Sequence, residues 1–326
     1  LRKVSWGRGW LYLDGGKRIR PLYAWAGFVG AHGLDGTESP QAMLRAASSL
    51  EFVQACALIH DDIVDASDTR RGNPTVHRGV AAHHRELGLN GDADFFGQSL
   101  AILIGDMALV WAEDMLQDSG LSPEALARAR APWRAMRREV IGGQILDISL
   151  EAAGSEDATL ADSVNRFKTA AYTIERPLHL GAVIAGAPEK LVAAFRGYGQ
   201  DIGVAFQLRD DLLGVFGDPA ITGKPAGDDL REGKRTVLLS LALQRADATD
   251  PAAAAELRRL IGQTEDPADI ARMAQIIADS GAPDVVEQRI SDLTRSGLDH
   301  LHNAQVDPEV TAVLEELAHK STARRM

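Results

Sequence analysis

The chain has 326 residues, 45% of them hydrophobic, which is enough for one large domain or two ordinary ones with a sizeable core. Its formal net charge is −11, and its basic residues are scattered or lie near acidic motifs, which argues against a general nucleic-acid binder. The single cysteine, Cys56, excludes an internal disulfide and fits a reducing compartment, so we expect a cytoplasmic protein. No apolar run reaches the roughly 20 residues of a membrane span, and no signal peptide is visible, although the chain opens without a methionine.

Helical periodicity dominates the chain. Segments 41–65, 99–117, 123–153 and 235–246 are rich in Ala and Leu, and their apolar residues follow the 3.6-residue period of a helix rather than the alternation of a strand. Loops rich in Gly, Pro and Asp separate them, at 33–40, 69–75, 87–94, 119–124, 186–190 and 216–229. No linker marks a domain boundary. The sequence therefore predicts one all-α domain of long helices over 1–326, with a possible small C-terminal helical lobe at 250–326.

Two acidic pairs interrupt apolar helical segments. Asp61 and Asp65 are four residues apart in LIHDDIVD and share a helix face, with Asp62 beside them. The segment AFQLRDDLLG places a second pair, Asp210 and Asp211, in similar surroundings. Charge in such surroundings needs compensation, which either a metal ion or a nearby arginine could supply. Mg²⁺ uses one or two carboxylates together with phosphate oxygens, so two such helices facing each other predict a magnesium site; the alternative is a solvated acidic turn.

Basic residues cluster in three loops. They are Lys17, Arg18 and Arg20 in GGKRIRP, Arg70 and Arg71 in TRRG, and Lys224, Arg231, Lys234 and Arg235 in TGKPAGDDLREGKRT. Arginine suits phosphate oxygens through its planar fork, and lysine acts on them as a point charge. Each cluster alone is typical of a solvated loop. Together with the carboxylates they indicate two anion sites, one bridged through metal and one bound directly by Lys and Arg.

The order of these motifs resembles that of trans-type prenyl diphosphate synthases, most closely the bacterial geranylgeranyl diphosphate synthases. The resemblance rests on GGKRIRP, LIHDDIVD with RRG, GGQILD, KTAAY and FQLRDDLLGVFGD with TGKPAGDDLREGKRT, and it extends from residue 15 to about residue 245. It implies the isoprenoid synthase type I fold, with long helices around a central cavity, and a homodimer. It also implies three Mg²⁺ ions with substrate bound, isopentenyl diphosphate as one substrate, and dimethylallyl, geranyl or farnesyl diphosphate as the other.

The resemblance also implies roles for individual residues. The metal site comprises Asp61 and Asp65 with Asp210 across the cavity, supported by Asp62 and Asp211. The allylic diphosphate contacts Arg70, Lys224 and Lys234. The isopentenyl diphosphate contacts Lys17, Arg20, Arg71 and Gln54, the last standing where relatives often carry histidine. The groups beside the departing diphosphate are Lys168, Thr169 and Gln207, with Gln144 and Asp147 as support near the metals.

One position departs from the family pattern. The second acidic motif of the family usually ends in a third aspartate, and Gly214 occupies that position here. The first aspartate of the motif is present, so we expect activity, with altered surroundings for the third metal ion. No pair of histidines suits a catalytic base, and we expect His60 to pack behind the metals.

Product length depends on the helix that precedes the first acidic motif. Bulky aromatics four or five residues before the first aspartate stop growth at fifteen carbons in the family. The residues predicted to line this pocket are the small Cys56 and Ala57, followed by Val53. Phe52 points roughly 180° away from Asp61, and Trp111 or Met107 are candidate floors. The sequence therefore favours a twenty-carbon product.

Three alternatives stay open at this level. The first is a synthase of longer chains. The second is a class I terpene cyclase, which needs an N-x-x-x-S-x-x-x-E metal motif that the chain lacks. The third is a non-catalytic synthase subunit, although such subunits usually lose the aspartates or arginines that are present here.

Overall fold

The computed structural model describes residues 16–219, 226–304 and 306–323, and helices dominate them, which confirms the predicted all-α class. The helices are α1 (Ile19–Gly30), α2 (Pro40–Val64), α3 (Val76–Glu86), α4 (Ala93–Gln117), α5 (Pro123–Ala153), α6 (Ala158–Val164), α7 (Arg176–Ile184), α8 (Glu189–Phe216), α9 (Asp228–Glu232), α10 (Val237–Thr249), α11 (Pro251–Leu260), α12 (Pro267–Asp279), α13 (Ala282–His302) and α14 (Pro308–Thr322). A 3₁₀ turn covers Gly33–Asp35, and a π-helix covers Asn165–Glu175. The two-residue strands β1 (Thr69–Arg70) and β2 (Asn73–Pro74) pair antiparallel, with Arg70 opposite Asn73.

Local sequence signals set the ends of the longest helix. The Ser122 hydroxyl accepts a hydrogen bond from the Ala125 N–H, and Pro123 takes the first helical position, where its missing N–H costs nothing. Gly154 ends the helix with φ of 60°, a left-handed conformation that glycine adopts without a steric penalty. Helix α5 therefore runs over the whole predicted segment 123–153.

Helix α8 joins two parts of the hydrophobic core. Its C-terminal half packs through Leu208 and Leu212 into a cluster that includes Leu243 and Ile277. Its N-terminal half packs through Tyr198 into a second cluster, and the Tyr198 hydroxyl donates to the Leu314 carbonyl of α14 at 2.7 Å. The C-terminal helices thus share both clusters with α8. The extent of the domain and of a C-terminal lobe stays a prediction.

Helices α2 and α4 lie side by side along their length. At the middle of α2, the rings of Phe52 and Trp111 meet edge to face with centroids 6.1 Å apart. Near the C-terminal end of α2, His60 fills the space at Gly105, where a Cβ atom would lie 2.2 Å from the imidazole Nε2. This contact fixes the position of α4 along the axis of α2, near the end of α2 that carries the aspartates.

The same two helices are long and apolar enough, by length and composition, to cross a membrane. In α2, 56% of the most apolar window is buried inside the molecule, as in the core helix of a globular protein. In α4 only 28% of that window is buried, so much of its apolar surface faces outward. The expected absence of a membrane span therefore stays a prediction, and the outer face of α4 is an exposed apolar surface.

Candidate active site

The π-helix carries the KTAAY motif into the centre of the molecule. Two glycines hold it between neighbouring helices. A Cβ on Gly143 of α5 would lie 2.5 Å from the backbone nitrogen of Lys168, and a Cβ on Gly203 of α8 would lie 2.5 Å from the Ala170 Cα. Neither helix could approach so closely with a larger residue at these positions. π-Helical turns are rare in proteins. Those that occur are often at functional sites, because they turn side chains away from the regular helical spacing. The clamp holds Lys168 and Thr169 between α5 and α8.

Lys168 joins two acidic helices. Its Nζ donates to Asp147 Oδ2 of α5 at 2.5 Å and lies 3.7 Å from Asp61 Oδ1 of α2. Burial opposes the charged form, but Asp147 and Asp61 outweigh it and raise the pKa of the Lys168 ammonium above its ordinary value. This cation is therefore fixed beside the first aspartate of the first acidic motif.

Thr169 starts a hydrogen-bonded chain to the second acidic motif. Its hydroxyl donates to Gln207 Oε1 at 2.7 Å, and Gln207 Nε2 donates to Asp211 Oδ1 at 2.8 Å. Burial, together with the charges of Asp229 and Asp210, raises the pKa of Asp211 to about 8. These hydrogen bonds fix the position of Gln207. Asp210 follows Gln207 by one turn of α8 and is exposed.

Lys234 connects the two acidic motifs electrostatically. It lies close enough to Asp65 and to Asp211 for its positive charge to oppose the rise in pKa that burial causes in each carboxyl. Its own pKa is raised although burial opposes this, because Asp229 and Glu232 surround the ammonium. Asp65 is exposed at the C-terminal end of α2, and partial desolvation with the charge of Asp61 raises its pKa to about 6. Lys234 therefore lies within electrostatic range of both acidic motifs, and their joint role at a metal site stays a prediction.

Glu151 is a member of this acidic group that the sequence analysis missed. It follows Asp147 by one turn of α5, and burial with the charges of Asp147 and Asp65 raises its pKa to about 7. The four-residue spacing from Asp147 in GGQILDISLE was the available signal. Gln144, predicted to support the metals, is half-buried one turn earlier on the same helix.

Asp62 is turned toward Arg70 and is 1% exposed. Arg70 Nε donates to Asp62 Oδ1 at 2.6 Å, and the second guanidinium nitrogen lies 3.8 Å from Asp61 Oδ2. The buried carboxylate thereby holds Arg70 beside the first acidic motif. A direct metal bond to Asp62 would need this ion pair to open, so the structure favours support rather than ligation.

The predicted isopentenyl diphosphate residues come from three elements. Arg20 donates to the Thr173 hydroxyl at 3.0 Å, and its guanidinium stacks 3.9 Å above the Tyr172 ring. The loop before α1 meets the loop after α2, because a Cβ on Gly16 would lie 3.1 Å from Arg71 Nη2. Lys17 follows Gly16 and is exposed. The structure therefore brings Gly16, and with it the adjacent Lys17, close to Arg71.

Two further residues, Gln54 and Lys224, were also predicted to bind substrate. Gln54 is half-buried on α2, seven residues before Asp61. Lys224 lies outside the described residues, so its predicted role stays a prediction.

The predicted product-pocket residues differ in burial. Val53 and Cys56 are 2% and 8% exposed, and Cys56 packs in a cluster with Ile59 and Ala108. Ala57 is half-buried and precedes Asp61 by one helical turn. His60 Nε2 lies 3.0 Å from the Ile102 carbonyl, which directs the ring toward α4.

The donor set suits Mg²⁺ better than a metal held by protein alone. In the described ranges no three His, Cys, Asp or Glu side chains converge as a ready metal cluster. Asp61 Oδ1 and Asp211 Oδ2 are buried and receive no hydrogen bond from any residue that the structure describes. Hard oxygens without hydrogen-bond donors, on facing helices, fit an ion that completes its shell with substrate phosphate and water.

Comparison with known proteins assigns the chain to a family. The Polyprenyl synthetase family model matches residues 10–279. The chain belongs to the polyprenyl synthetase family. This confirms the predicted resemblance, the isoprenoid synthase fold and the assignment as a prenyltransferase.

Individual relatives differ in the product that their names give. A geranylgeranyl pyrophosphate synthase from Corynebacterium glutamicum, solved with isoprenyl diphosphate and magnesium, is 65% identical with a TM-score of 0.93, covering 96% of this chain and 88% of its own. A geranylfarnesyl diphosphate synthase from Aeropyrum pernix is 37% identical over 86% of this chain and 80% of its own. A (2E,6E)-farnesyl diphosphate synthase from Mycobacterium tuberculosis is 32% identical over 97% of this chain and 84% of its own. Membership of the family alone therefore does not determine the length of the isoprenoid product, which has to be argued from the pocket.

Proposed function

We propose that this prenyltransferase joins isopentenyl diphosphate to allylic diphosphates and releases geranylgeranyl diphosphate as its main product. The observation that carries the proposal is the meeting of Asp61, Lys168 and Asp147 on one side with the Thr169–Gln207–Asp211 chain on the other. The Lys168 ammonium lies beside the carboxylates of Asp61 and Asp147, and the Thr169 hydroxyl is linked through Gln207 to the carboxyl of Asp211. Such an arrangement suits a departing diphosphate.

The reaction begins when the allylic C–O bond breaks and its electron pair leaves with the diphosphate. Lys168, Lys234 and Arg70 stabilise that developing charge, because they are fixed in place before the reaction. Asp61, Asp65 and Asp210 would hold Mg²⁺, which neutralises diphosphate charge as a Lewis acid when bound. Thr169 and Gln207 would lie beside the developing allylic cation.

Carbon–carbon bond formation then joins the alkene of isopentenyl diphosphate to the cation. Lys17, Arg20 and Arg71 would hold the second diphosphate, with Gln54 completing the site. An apolar, water-poor pocket lets the alkene rather than water capture the cation. Loss of a proton to the released diphosphate gives an allylic product one isoprene unit longer.

The twenty-carbon product is supported by the pocket and by the relatives. Cys56 and Ala57 are small, and the 65% identical relative is named a geranylgeranyl pyrophosphate synthase. The identity to the named geranylfarnesyl and farnesyl synthases is much lower, at 37% and 32%.

One incubation tests the proposal. The enzyme receives Mg²⁺, isopentenyl diphosphate and either dimethylallyl, geranyl or farnesyl diphosphate, and the products are dephosphorylated and separated by chromatography. We expect a twenty-carbon alcohol from each primer, and none when Mg²⁺ is chelated. A cyclised hydrocarbon would indicate a terpene cyclase, longer alcohols a long-chain synthase, and no product a non-catalytic subunit. Each of these outcomes overturns the proposal.

We also propose a homodimer formed through the outer faces of α4 and α5. Exposed aliphatic residues lie on both helices: Ile102, Leu103 and Val110 on α4, and Ile141, Ile145 and Ile148 on α5. Glu113 of α4 accepts hydrogen bonds from Trp133 and Arg137 of α5 at 2.7 Å each, which fixes the two helices as neighbours. A short connection makes consecutive helices antiparallel. Each helix thus presents exposed aliphatic side chains, which a second copy would cover.

Charge also suits a second copy. The N-terminal half of α5 exposes Arg130, Arg134 and Arg138, whereas α4 exposes Asp106 and Asp114. In a two-fold arrangement each helix can meet the opposite charge of its partner. Sedimentation should give a dimer for the wild type and a monomer for Leu103→Lys/Ile145→Lys. Val313→Lys, an exposed aliphatic residue on α14, is the matched control and should stay dimeric. A monomeric wild type, or sedimentation of the protein with lipid vesicles, would contradict this use of the face.

A cytoplasmic location remains part of the proposal. Its support is Cys56, the single cysteine of the sequence, which is a free thiol in the core. Fractionation of the native cells, with the protein in the high-speed supernatant, tests it.

A further inference from the structure

An ion pair runs along the π-helix from one end to the other. Its members, Arg166 and Glu175, stand at the second and the last position of Asn165–Glu175, and the Arg166 guanidinium donates to Glu175 Oε2. The Glu175 side chain is 1% exposed, so this carboxylate lies in the interior of the protein. Just beyond the pair, the Arg176 N–H donates to the Ala171 carbonyl five residues earlier, which is the hydrogen bond that defines a π-helix.

The nine-residue spacing of this pair suits a π-helix and not an α-helix. An α-helix has about 3.6 residues per turn, so nine residues make about two and a half turns and would place the two side chains on opposite sides. A π-helix, whose hydrogen bonds reach from i to i+5, has about 4.4 residues per turn, so nine residues make about two whole turns. The side chains of Arg166 and Glu175 then share one face, where they meet. The pair therefore favours the π-helix over the α-helix.

The choice between the two helix types decides where Lys168 points. Lys168 precedes Glu175 by seven residues, which make about two turns of an α-helix and would bring its side chain to the face of Glu175. With about 4.4 residues per turn, the π-helix places Lys168 on nearly the opposite side. There its ammonium meets Asp147 and Asp61. The geometry that the pair favours is thus the one that presents Lys168 to the first acidic motif.

Glu175 is held by two further arginines. Arg196 Nε of α8 donates to Glu175 Oε1 at 3.0 Å, and an Arg176 nitrogen lies 3.5 Å from the same oxygen. Arg176 also donates two hydrogen bonds to Glu139 of α5, at 2.6 and 2.7 Å. Burial opposes the charge of Glu175, but the arginines outweigh burial and hold the pKa of that carboxyl below its ordinary value. Glu175 is therefore a charged anchor that is fixed to α5 and α8.

We propose that Arg166 is a positioning residue, which through its ion pair with Glu175 keeps the segment Asn165–Glu175 π-helical and so holds Lys168 at the acidic site. Arg166 acts through the helix backbone, since its guanidinium is engaged by Glu175. This inference rests on the proposed function, because that function assigns Lys168 to the departing diphosphate.

The test compares two arginines that share one carboxylate. Arg166→Met removes the pair along the π-helix and keeps an unbranched side chain, while Glu175 retains Arg176 and Arg196 as partners. Arg166→Gln removes the same charge and serves as a second variant. Arg196→Met is the matched control, because it takes another arginine from Glu175 without acting along the π-helix. Arg166→Lys keeps the charge and tests for rescue, and thermal unfolding checks that each variant is folded.

Turnover is measured as pyrophosphate release at saturating substrates. Arg166→Met and Arg166→Gln should lower it about ten- to hundredfold, because a misplacement of about 1 Å in a catalytic group can cost a factor of that size. Arg196→Met should stay within about twofold of the wild type, since a pair with a half-exposed arginine contributes little. Arg166→Lys should stay within about threefold, because lysine supplies the same charge without the planar fork. Arg166→Met/Lys168→Met should be hardly slower than Lys168→Met, because both changes act through one ammonium.

Several results would overturn the inference. They are turnover of Arg166→Met within about threefold of that of Arg196→Met, no recovery in Arg166→Lys, and multiplied losses in the double variant. Hydrogen exchange tests the helix without relying on the reaction: the amides of 165–175 should exchange faster in Arg166→Met than in Arg196→Met, and equal exchange would refute the role of the pair. If the wild type released no pyrophosphate, the proposed function would fail, and hydrogen exchange would still decide whether the pair holds the π-helix.

Discussion

Replacing Lys168 with methionine removes the cation that joins the two acidic helices. Its ammonium donates to Asp147 at 2.5 Å, lies 3.7 Å from Asp61, and belongs to a side chain that is 27% exposed. A hydrogen bond between charged groups contributes about 1.5–3 kcal/mol, so the metal-free variant should lose about 2 kcal/mol of unfolding free energy. Turnover should fall by about 10²–10³, the usual effect of removing one fixed group that stabilises a developing anion.

Two measurements separate these effects. Pyrophosphate release under saturating substrates gives turnover, and urea unfolding in excess chelator gives the free energy of unfolding. Lys190→Met, at an exposed site at the start of α8, is the control and should leave both unchanged. Turnover of Lys168→Met within about fivefold of the wild type, or roughly 1 kcal/mol in the barrier, would refute the placement of this cation beside the leaving group.

Three further predictions concern the acidic and basic sets. Asp61→Ala should reduce turnover at least about a thousandfold, because a metal-held charge is worth several kcal/mol; near-normal rates in this variant or in excess chelator would contradict the metal site. Arg71→Ala and Lys17→Ala should chiefly raise the apparent Michaelis constant for isopentenyl diphosphate, whereas Lys224→Ala should act on the allylic substrate and on turnover; the opposite pattern would reverse the two sites. In excess chelator, unfolding free energy should fall as pH rises between about 4 and 8, because folded Asp211 keeps its proton to a pKa of about 8 and the unfolded residue releases it near 3.9. Asp211→Asn should flatten this slope, and an equal slope in both proteins would assign it to other groups.

The sequence was sufficient for the fold class and for the placement of the first acidic motif on one helix face. Helical spacing and glycine-rich or proline-rich ends predicted α5 over its full length, and the shared face of Asp61 and Asp65 followed from the four-residue period. Both results depend on interactions between residues close together in the chain. Local patterns determine them, so no long-range contact had to be known.

Long-range contacts account for what the sequence could not predict. The π-helix that turns Lys168 and Thr169 toward different partners depends on its clamping by Gly143 and Gly203, which are distant in sequence. The burial of Asp62 depends on its ion pair with Arg70 across a turn.

The contact between Gly214 and Asp229 likewise could not be predicted from the sequence. From the sequence, Gly214 is only a missing aspartate. In three dimensions the missing side chain coincides with a carboxylate from another helix.

Product length is the property for which burial changes the expected mutant. Ala57 and Cys56 precede Asp61 by four and five residues, and both are small. Ala57 is half-buried on the face of Asp61, so a phenylalanine there should project toward the growing chain. Cys56 is 8% exposed with its Sγ 3.8 Å from His60 Nδ1, so phenylalanine would also have to displace its packing. Ala57→Phe is therefore the sharper test.

A helical turn spans about 5.4 Å, roughly one isoprene unit, so a bulky side chain one turn below Asp61 should remove one unit from the product. Ala57→Phe should convert a twenty-carbon product into a fifteen-carbon one while turnover persists, and Ala57→Ser, which adds no such bulk, should leave the product unchanged. Trp111, one of the two candidate floors, packs edge to face against Phe52 with centroids 6.1 Å apart. If it is the floor, Trp111→Ala should lengthen the product. Chromatography of the dephosphorylated alcohols measures all three. A fifteen-carbon alcohol from the wild type, or an unchanged distribution in both Ala57→Phe and Trp111→Ala, would mean that the chain grows along another path.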